Sequence, residues 1–259
     1  ALTKSEALRA QPEGRIDPWL KTVTFYDGEI ALVRMHYYAS HPQCIYGDGK
    51  VQPDTPGLAR SYLEGEEGVA QIYFTGCAGD VTAGKYNDGA PERRQELSKQ
   101  LYSGMIRSIA ATTKERVRSF SWKTVDVRLP PKTDEANSPE RLRRTLEDPA
   151  APPDQRQAAA IRLAWADRVR ARPAVDIGRL RIGSLDILHL PGEPFVEFQL
   201  FAQSLRPDRF VAVAGYGEGG PGYICTDAAH AEGGYEPTWS LVGPPTEVLL
   251  KGAIADLLR

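Results

Sequence analysis

Residues 20–38, LKTVTFYDGEIALVRMHYY, contain two segments of strand character on either side of Asp27-Gly28. Leu20 to Tyr26 and Glu29 to Tyr38 alternate or run apolar, and Asp-Gly between two such segments predicts a β-hairpin. The second strand leads into Ala39-Ser40-His41-Pro42, so we expect His41 at its C-terminal end. His36 lies five residues before His41, an odd spacing that places it on the opposite face of a regular strand, and we interpret it as structural.

Further strand and helix patterns alternate along the rest of the chain. Strands are predicted at Val69–Phe74, Phe120–Leu129, Ala174–Ile182, Leu185–Leu190 and Phe210–Ala214, and helices at Leu58–Glu64, Pro91–Thr113, Phe195–Leu205 and Pro245–Leu258. From Lys132 to Arg172 the chain is charged and alanine-rich, which predicts a helical insertion. The sequence therefore predicts one α/β domain over residues 1–259, with a mixed β-sheet core, flanking helices and an insertion at about 132–172.

Composition and charge argue against nucleic-acid binding and against a transmembrane segment. With 41% hydrophobic and 25% charged residues among 259, the chain has the composition of a soluble globular protein. Its net charge of -2 and pI near 6.2 give no electrostatic support to nucleic-acid binding. No apolar run reaches about 18 residues, so no transmembrane segment is predicted. Peripheral contact with a membrane stays open.

The cysteines Cys44, Cys77 and Cys225 leave the cellular compartment undetermined. An odd number allows at most one internal disulfide and one free thiol. We favour buried thiols with a packing role, while a disulfide or thiolate metal ligation stays open.

Candidate functional residues lie where strand patterns give way to turns. His41 supplies an imidazole, Leu190-Pro191-Gly192-Glu193 a carboxylate, and a glycine-rich segment two phenols, Tyr223 and Tyr235. Together these groups suit a partly open metal site. Glu193 also precedes a predicted helix, so stabilisation of the helix N-terminus is an alternative role.

Two glycine-rich segments add candidate backbone contacts. Thr75-Gly76-Cys77-Ala78-Gly79-Asp80-Val81-Thr82 follows a predicted strand, where backbone N–H groups can approach an anion or an oxyanion. Its spacing matches neither a P-loop nor a dinucleotide fingerprint, so we reject nucleotide binding. From Gly215 to Gly222 five of eight residues are glycine, which favours close backbone approach.

The order of these motifs resembles that of the neutral/alkaline non-lysosomal ceramidase family. The resemblance extends from about Gly14 to the end of the chain and is carried by Gly14-Arg15-Ile16-Asp17-Pro18, Tyr38-Ala39-Ser40-His41-Pro42, Ala78-Gly79-Asp80-Val81-Thr82, Leu190-Pro191-Gly192-Glu193 and the pair Tyr223 and Tyr235. Members of that family are zinc amidohydrolases that cleave the N-acyl bond of ceramide. The resemblance implies a Zn2+ cofactor, a small-molecule or lipid amide substrate and an extracellular or periplasmic location.

Position by position, the resemblance implies that His41, Glu193 and Tyr223 are metal ligands. Tyr235 corresponds to a second tyrosine that polarises the amide carbonyl. Thr82 replaces a serine of the family, and Gly79 and Asp80 belong to the same motif. Catalysis would use a metal-activated water, with Tyr235 and a backbone N–H near Gly79 donating to the oxyanion.

The chain departs from the family pattern upstream. The family's first ligand comes from a His-x-His-Ser-Gly stretch, which this sequence lacks, and its immunoglobulin-like domain has no counterpart here. We therefore expect a preceding segment or a second chain to complete the site. A non-catalytic binding or structural relative without metal, and a hydrolase of a non-lipid amide or an ester, are the alternatives. If the site is real, side-chain atoms of His41, Glu193 and Tyr223 should converge within about 4 Å of one point.

Overall fold

The computed structural model describes residues 2–47, 49–171, 174–217 and 220–259. In chain order the strands are β1 (Lys21–Asp27), β2 (Ile30–Tyr38), β3 (Ala70–Thr75), β4 (Phe120–Val127), β5 (Val175–Ile182), β6 (Leu185–Pro191), β7 (Glu193–Pro194), β8 (Phe210–Gly217) and β9 (Tyr223–Ile224). The α-helices are α1 (Glu6–Arg9), α2 (Asp54–Glu67), α3 (Arg93–Ala110), α4 (Pro139–Glu147), α5 (Pro153–Ala171), α6 (Val196–Leu205), α7 (Asp227–Glu232), α8 (Tyr235–Trp239) and α9 (Thr246–Leu258).

The strands form two main sheets and one short one. The first sheet has the order β1-β2-β3, with β1 antiparallel and β3 parallel to β2. The second has the order β4-β5-β6-β8, and only β6 and β8 run parallel. β7 and β9 pair in parallel as a two-stranded sheet. The predicted α/β class with mixed sheets is confirmed, and the predicted core is divided between the two main sheets.

The two main sheets pack face to face between layers of helices. Val23 and Tyr37 of the first sheet share a buried cluster with Ile187 and Ala212 of the second. Leu188 follows Ile187 and, because side chains alternate along a strand, belongs instead to the cluster that contains residues of α6 and α9. Helices α2 and α3 share a third cluster with Leu20, which directly precedes β1, and with Tyr73 of β3. The result is a helix–sheet–sheet–helix arrangement.

The structural interpretation of His36 is confirmed. His36 is fully buried, and its ring contacts Thr22 Oγ1 at 2.9 Å and Gln71 Oε1 at 2.8 Å. Burial lowers the pKa of His36, which favours the neutral imidazole. This histidine links all three strands of the first sheet.

The helical insertion is also confirmed. Helices α4 and α5 pack together around Leu142, Ala159 and Leu163. Trp165 of α5 joins the main core, so the insertion is fixed to the domain. Its last predicted residue, Arg172, lies outside the described residues, as do two residues of the glycine-rich segment, 218 and 219.

Several predicted boundaries are wrong, and two of them have a clear physical reason. Helix α2 begins at Asp54 rather than Leu58, because Pro56 lies in the first helical turn, where its missing N–H needs no partner. Strand β8 continues to Gly217 rather than ending at Ala214, because Pro191 of β6 still pairs with Gly217. The glycine-rich segment therefore begins as a strand.

The three cysteines are buried free thiols, as the packing interpretation predicts. Burial raises the pKa of Cys44 and of Cys77, and raises that of Cys225 to about 12, which disfavours the thiolate.

Across the described ranges, no helix is both long and apolar enough to cross a membrane.

Candidate functional site

His41 is fixed by the loop that follows β3. Its backbone N–H donates to Val81 O at 2.8 Å, and its backbone forms an isolated parallel bridge with Thr82. Its ring Nδ1 lies 2.5 Å from Ala78 O. A carbonyl oxygen can only accept, so Nδ1 carries a proton and the neutral tautomer leaves a lone pair on Nε2. The side chain is only 7% exposed, and Nε2 is its available atom.

Glu193 is brought to His41 by the turn between β6 and β7. Gly192 makes this turn in the left-handed region, with φ 58°, and the Glu193 N–H donates to Gly222 O at 2.9 Å. Glu193 Oε2 then lies 3.0 Å from His41 Nε2, and the side chain is 30% exposed. The carboxylate thus reaches the free ring nitrogen from the solvent side.

The contact between His41 and Glu193 requires a proton or a metal ion between the two groups. With the proton held on Nδ1, the Nε2 lone pair of His41 faces a carboxylate oxygen, and two acceptors repel at this distance. A proton or a metal ion between them removes the repulsion. Imidazole and carboxylate are both ligands that Zn2+ accepts, so the donor chemistry fits that metal.

Tyrosines surround this pair. The Tyr216 hydroxyl lies 3.1 Å from His41 Nε2, and the Tyr223 ring centroid lies 6.3 Å from that of His41. Tyr235, which is 62% exposed, places its ring centroid 6.0 Å from that of Tyr223. Burial raises the pKa values of Tyr216 and Tyr223, and the nearby Glu193 carboxylate raises them further. The four predicted residues thus form one neighbourhood, in which only Glu193 contacts His41 through side-chain polar atoms.

Tyr216 was not predicted from the sequence. It stands alone between Gly215 and Gly217, and its φ of 62° is unusual for a residue with a side chain. The left-handed conformation costs an L-residue about 1–2 kcal/mol. The available sequence signal was a lone tyrosine inside a glycine run, directly after the predicted strand that ends at Ala214.

Gly79 holds the site together by packing. Its own N–H donates to Pro194 O at 2.9 Å and is therefore used within the protein, while donation to an oxyanion from a backbone N–H near Gly79 stays a prediction. A Cβ at Gly79 would lie 2.4 Å from Glu193 O, so only glycine lets the loop approach β7 this closely.

Asp80 takes the helix-end role that was considered for Glu193. Its Oδ1 accepts the N–H of Val196, the first residue of α6, at 2.9 Å. Asp80 as a whole residue is exposed, but its carboxyl group is crowded by protein atoms. This desolvation raises the pKa of Asp80 to about 6, the Val196 N–H opposes the rise, and Glu197 adds to it. Thr82 Oγ1 accepts the N–H of Gly84 at 2.8 Å, which stabilises the following turn.

A buried aspartate ties the N-terminal segment to the same loop. Asp17 accepts hydrogen bonds from Gln199 at 2.7 Å, Gln203 at 2.8 Å and Lys21 at 2.9 Å. Burial disfavours the charge, but the bonds from Gln203, Lys21 and Gln199 outweigh it and hold the pKa of Asp17 below its usual value. Gln199 Oε1 in turn accepts the Cys77 N–H at 3.0 Å. Asp17 therefore has a positioning role in this structure.

The insertion reaches the helix that carries Tyr235. Arg162 of α5 donates to Thr238 O at 2.9 Å and stacks over the Trp239 ring at 5.7 Å. Tyr235 and Trp239 are themselves in ring contact, with centroids 6.3 Å apart. The insertion therefore borders the tyrosine side of the site.

A large groove opens beside His41. Its volume is about 1860 Å³, and His41, Asp80 and Thr82 lie along its wall. It follows β1, the edge strand of the first sheet. Its apolar lining includes Trp19, Leu20, Val23, Phe25 and Leu101.

A conventional cluster of charged metal ligands is not seen in the part of the chain that the structure describes. No group there brings together three or more His, Cys, Asp or Glu side chains that could hold a metal ion. The local donors are therefore one imidazole, one carboxylate and phenols.

Comparison with solved structures places this fold among the ceramidases. No protein-family model matches the sequence, and no curated protein matches it significantly. The chain nevertheless adopts the fold of part of the neutral ceramidases.

Two solved structures support this assignment of the fold. Neutral ceramidase from Pseudomonas aeruginosa matches with a TM-score of 0.70 and 17% identity over 97% of this chain and 48% of its own. A ceramidase complexed with C2 matches with a TM-score of 0.68 and 16% identity over 97% of this chain and 50% of its own. The chain thus spans about half the length of these proteins. At this identity the comparison establishes the fold.

Proposed function

We propose that this chain is the part of a zinc-dependent amidohydrolase that carries His41 and Glu193, and that the enzyme hydrolyses an N-acyl amide bond as a neutral ceramidase does. The shared fold supports this proposal. Hydrolysis joins a water oxygen to the carbonyl carbon, breaks the C–N bond and releases a carboxylic acid and an amine.

The observation that carries the proposal is the contact between His41 Nε2 and Glu193 Oε2 at 3.0 Å, with Nδ1 held by Ala78 O. A metal-bound histidine commonly donates its other ring N–H to a backbone carbonyl, which fixes the tautomer and the ring orientation. Two ligands of a tetrahedral zinc at about 2.0–2.1 Å lie roughly 3.3 Å apart, close to this separation.

The proposal gives separate residues the roles of metal binding, donation to the carbonyl oxygen and positioning. His41, Glu193 and a phenol, which the ceramidase resemblance assigns to Tyr223, would hold the ion. Zinc in such a site polarises a carbonyl and lowers the pKa of a water. The exposed Tyr235 hydroxyl donates to the carbonyl oxygen as negative charge develops there. Asp80 and Gly79 keep β7 and α6 in place, so the Glu193 carboxylate stays directed at His41.

The groove favours a substrate with a long apolar part. A volume of about 1860 Å³ is larger than the roughly 300–1,000 Å³ of pockets for small ligands, and Trp19, Val23 and Phe25 lie along it. An acyl chain bound in this groove would run past His41, which lies along its wall. A short polar amide would leave most of this apolar surface in water.

A binding or structural role without metal is the second candidate. It is favoured by the lack of three clustered His, Cys, Asp or Glu side chains among the described residues. A relative of this kind would keep the groove and the His41–Glu193 contact but would take up no zinc.

One assay separates the two candidates. The zinc-loaded chain is incubated with an N-acyl sphingosine and with a short N-acetylated amine, and the released acids are measured by mass spectrometry. The proposal expects release from the N-acyl sphingosine that stops in His41→Ala and persists in His230→Ala, a matched change on α7. Binding of the N-acyl sphingosine without any release would favour the second candidate.

A further inference from the structure

Three arginines, Arg179, Arg181 and Arg209, surround the buried Asp186 near the start of β6 and form an arginine cluster with it. Asp186 is fully buried, and both of its carboxylate oxygens have a donor. Oδ1 accepts the Nε–H of Arg181 at 2.9 Å, and Oδ2 accepts the Nε–H of Arg209 at 2.7 Å. Two guanidinium groups therefore already satisfy this carboxylate.

Arg179 is the third arginine of the cluster, and its guanidinium group is left over. Its Nε lies 3.8 Å from Asp186 Oδ1, beyond hydrogen-bond distance, and its side chain is only 7% exposed. Nε and Nη1 are buried, and neither has a hydrogen-bond partner among the described residues. Arginine stays protonated in proteins, so a charged group is held away from water with its N–H groups unsatisfied. Such a group destabilises the fold unless an anion reaches it.

The charges around Arg179 do not supply this anion. Three guanidinium groups against one carboxylate leave a surplus of two positive charges in the cluster. Burial lowers the pKa of Arg179, the Arg181 charge lowers it further, Asp186 opposes this, and Arg209 and Arg206 add to the lowering.

The nearby helix ends do not supply it either. Helices α6 and α9 both end near this face of the sheet, and helix C-termini attract cations. Two of the last carbonyls of α9 already have donors. Leu258 O accepts Nη1 of Arg206 at 3.1 Å, and Asp256 O accepts Nζ of Lys123, the residue opposite Arg179 on β4, at 2.6 Å.

The cluster opens to solvent beside Arg179. Arg181 lies two residues further along β5, on the same face, and its side chain is 29% exposed. The side chain of Arg209 is 15% exposed. An anion that enters beside Arg181 would reach Arg179 by side-chain rotation, which is common on binding.

We infer that the arginine cluster binds a small, doubly charged oxyanion of the phosphate class, either inorganic phosphate or a phosphate monoester. The planar guanidinium fork matches two phosphate oxygens, and the charge surplus matches a dianion. Asp186 positions Arg181 and Arg209, and Arg179 supplies the unpaired donors. Asp186 precedes Glu193 by seven residues along β6 and the following turn, roughly 20 Å of extended chain. The site is therefore separate from the proposed metal centre and does not depend on the proposed hydrolase.

The test is calorimetric titration of the chain with inorganic phosphate and with glycerol phosphate, against sodium chloride at matched ionic strength. Arg179→Met keeps the length of the side chain and removes its charged donors. We expect phosphate affinity to fall about 10–100-fold in this variant, because charge-assisted hydrogen bonds are lost. Arg170→Met, at an exposed arginine of α5, is the matched control and should bind as wild type does. His41→Ala should also bind as wild type does, which separates the cluster from an anion held at the metal centre.

A second measurement distinguishes ligand binding from a structural role. Without phosphate, Arg179→Met should melt at or above the temperature of wild type, because the change removes an unpaired buried charge. Circular dichroism measures this. A melting temperature that falls equally with and without phosphate would show that Arg179 only supports the fold, and would overturn the inference.

The titrations give the remaining outcomes. Absence of saturable phosphate binding in wild type, or equal affinities in wild type and Arg179→Met, overturns the inference and leaves the proposed hydrolase intact. Tighter binding of glycerol phosphate than of inorganic phosphate supports the site and identifies a monoester as its ligand. The reverse order supports the site and identifies the free anion.

Discussion

His41 Nε2 lies 3.0 Å from Glu193 Oε2, although 152 residues separate the two in the chain. Each side chain is placed by a different loop, and the two loops are joined by the bond from the Gly79 N–H to Pro194 O. Because Nδ1 of His41 is occupied, the contact is stable only with a positive charge between the two groups.

Glu193→Gln keeps the size of the side chain and removes its charge. We expect zinc affinity to fall about 10–100-fold, because a neutral amide is a poorer ligand than a carboxylate, while the metal-free variant should be at least as stable as wild type, because the amide can donate to His41 Nε2. Calorimetric titration of zinc into wild type and variant measures the effect. Equal affinities would mean that Glu193 does not contact the ion.

Gly79→Ala tests the close approach of the loop to β7. The added Cβ would lie 2.4 Å from Glu193 O, so the loop or β7 must move, at a cost of about 1–3 kcal/mol in the free energy of unfolding. Urea unfolding measures this. Gly65→Ala is the matched control: Gly65 lies in α2 with no atom within 4 Å of the added Cβ, and alanine there should stabilise the protein by about 0.5–1 kcal/mol. A neutral Gly79→Ala would contradict the packing role.

Asp80→Asn tests the raised pKa of Asp80. A carboxyl group whose pKa rises from 3.8 to about 6 on folding binds its proton more tightly in the folded state, so stability falls as pH rises through that range. Asparagine can still accept the Val196 N–H but does not titrate. In urea unfolding of metal-free protein, wild type should therefore lose stability relative to Asp80→Asn between pH 4.5 and pH 7. A difference that is independent of pH would show that the Asp80 carboxyl is not desolvated.

Tyr235→Phe tests the proposed donation to the oxyanion. Removal of one such donor typically lowers kcat about 10²–10³-fold, and metal content should not change because Tyr235 is not a proposed ligand. Steady-state hydrolysis of an N-acyl sphingosine and elemental analysis of the same sample give both quantities. Tyr46→Phe, an exposed tyrosine of the loop before α2, should keep full activity. An unchanged kcat in Tyr235→Phe would remove it from the mechanism.

Local patterns of the sequence predicted most of the fold. Alternation and the Asp27-Gly28 turn identified β1 and β2, and the charged, alanine-rich stretch identified the α4–α5 insertion. The end of β8 depends on tertiary pairing, because β6 continues beside it as far as Gly217, whereas the start of α2 was missed because Pro56 lies in its first turn. Helix α8 has only five residues, too few to show a helical period.

Local sequence patterns predicted the candidate site less well than they predicted the fold. Alternation placed His41 at the end of β2, but its approach to Glu193 requires β6, β7 and the loop after β3 to meet, and only the motif order suggested it. Tyr216 was missed because a tyrosine in the left-handed region is not expected from propensity. A backbone N–H near Gly79 was assigned to an oxyanion, and nothing in the sequence indicates that Pro194 O accepts the N–H of Gly79 itself.

The central claim is that His41 and Glu193 hold a metal, and metal content measures it most directly. Wild type, His41→Ala and His230→Ala are purified without chelator or metal affinity resin and analysed for zinc. The account predicts about one zinc per chain in wild type and His230→Ala and almost none in His41→Ala. Absence of metal from wild type, or equal zinc in wild type and His41→Ala, would contradict it.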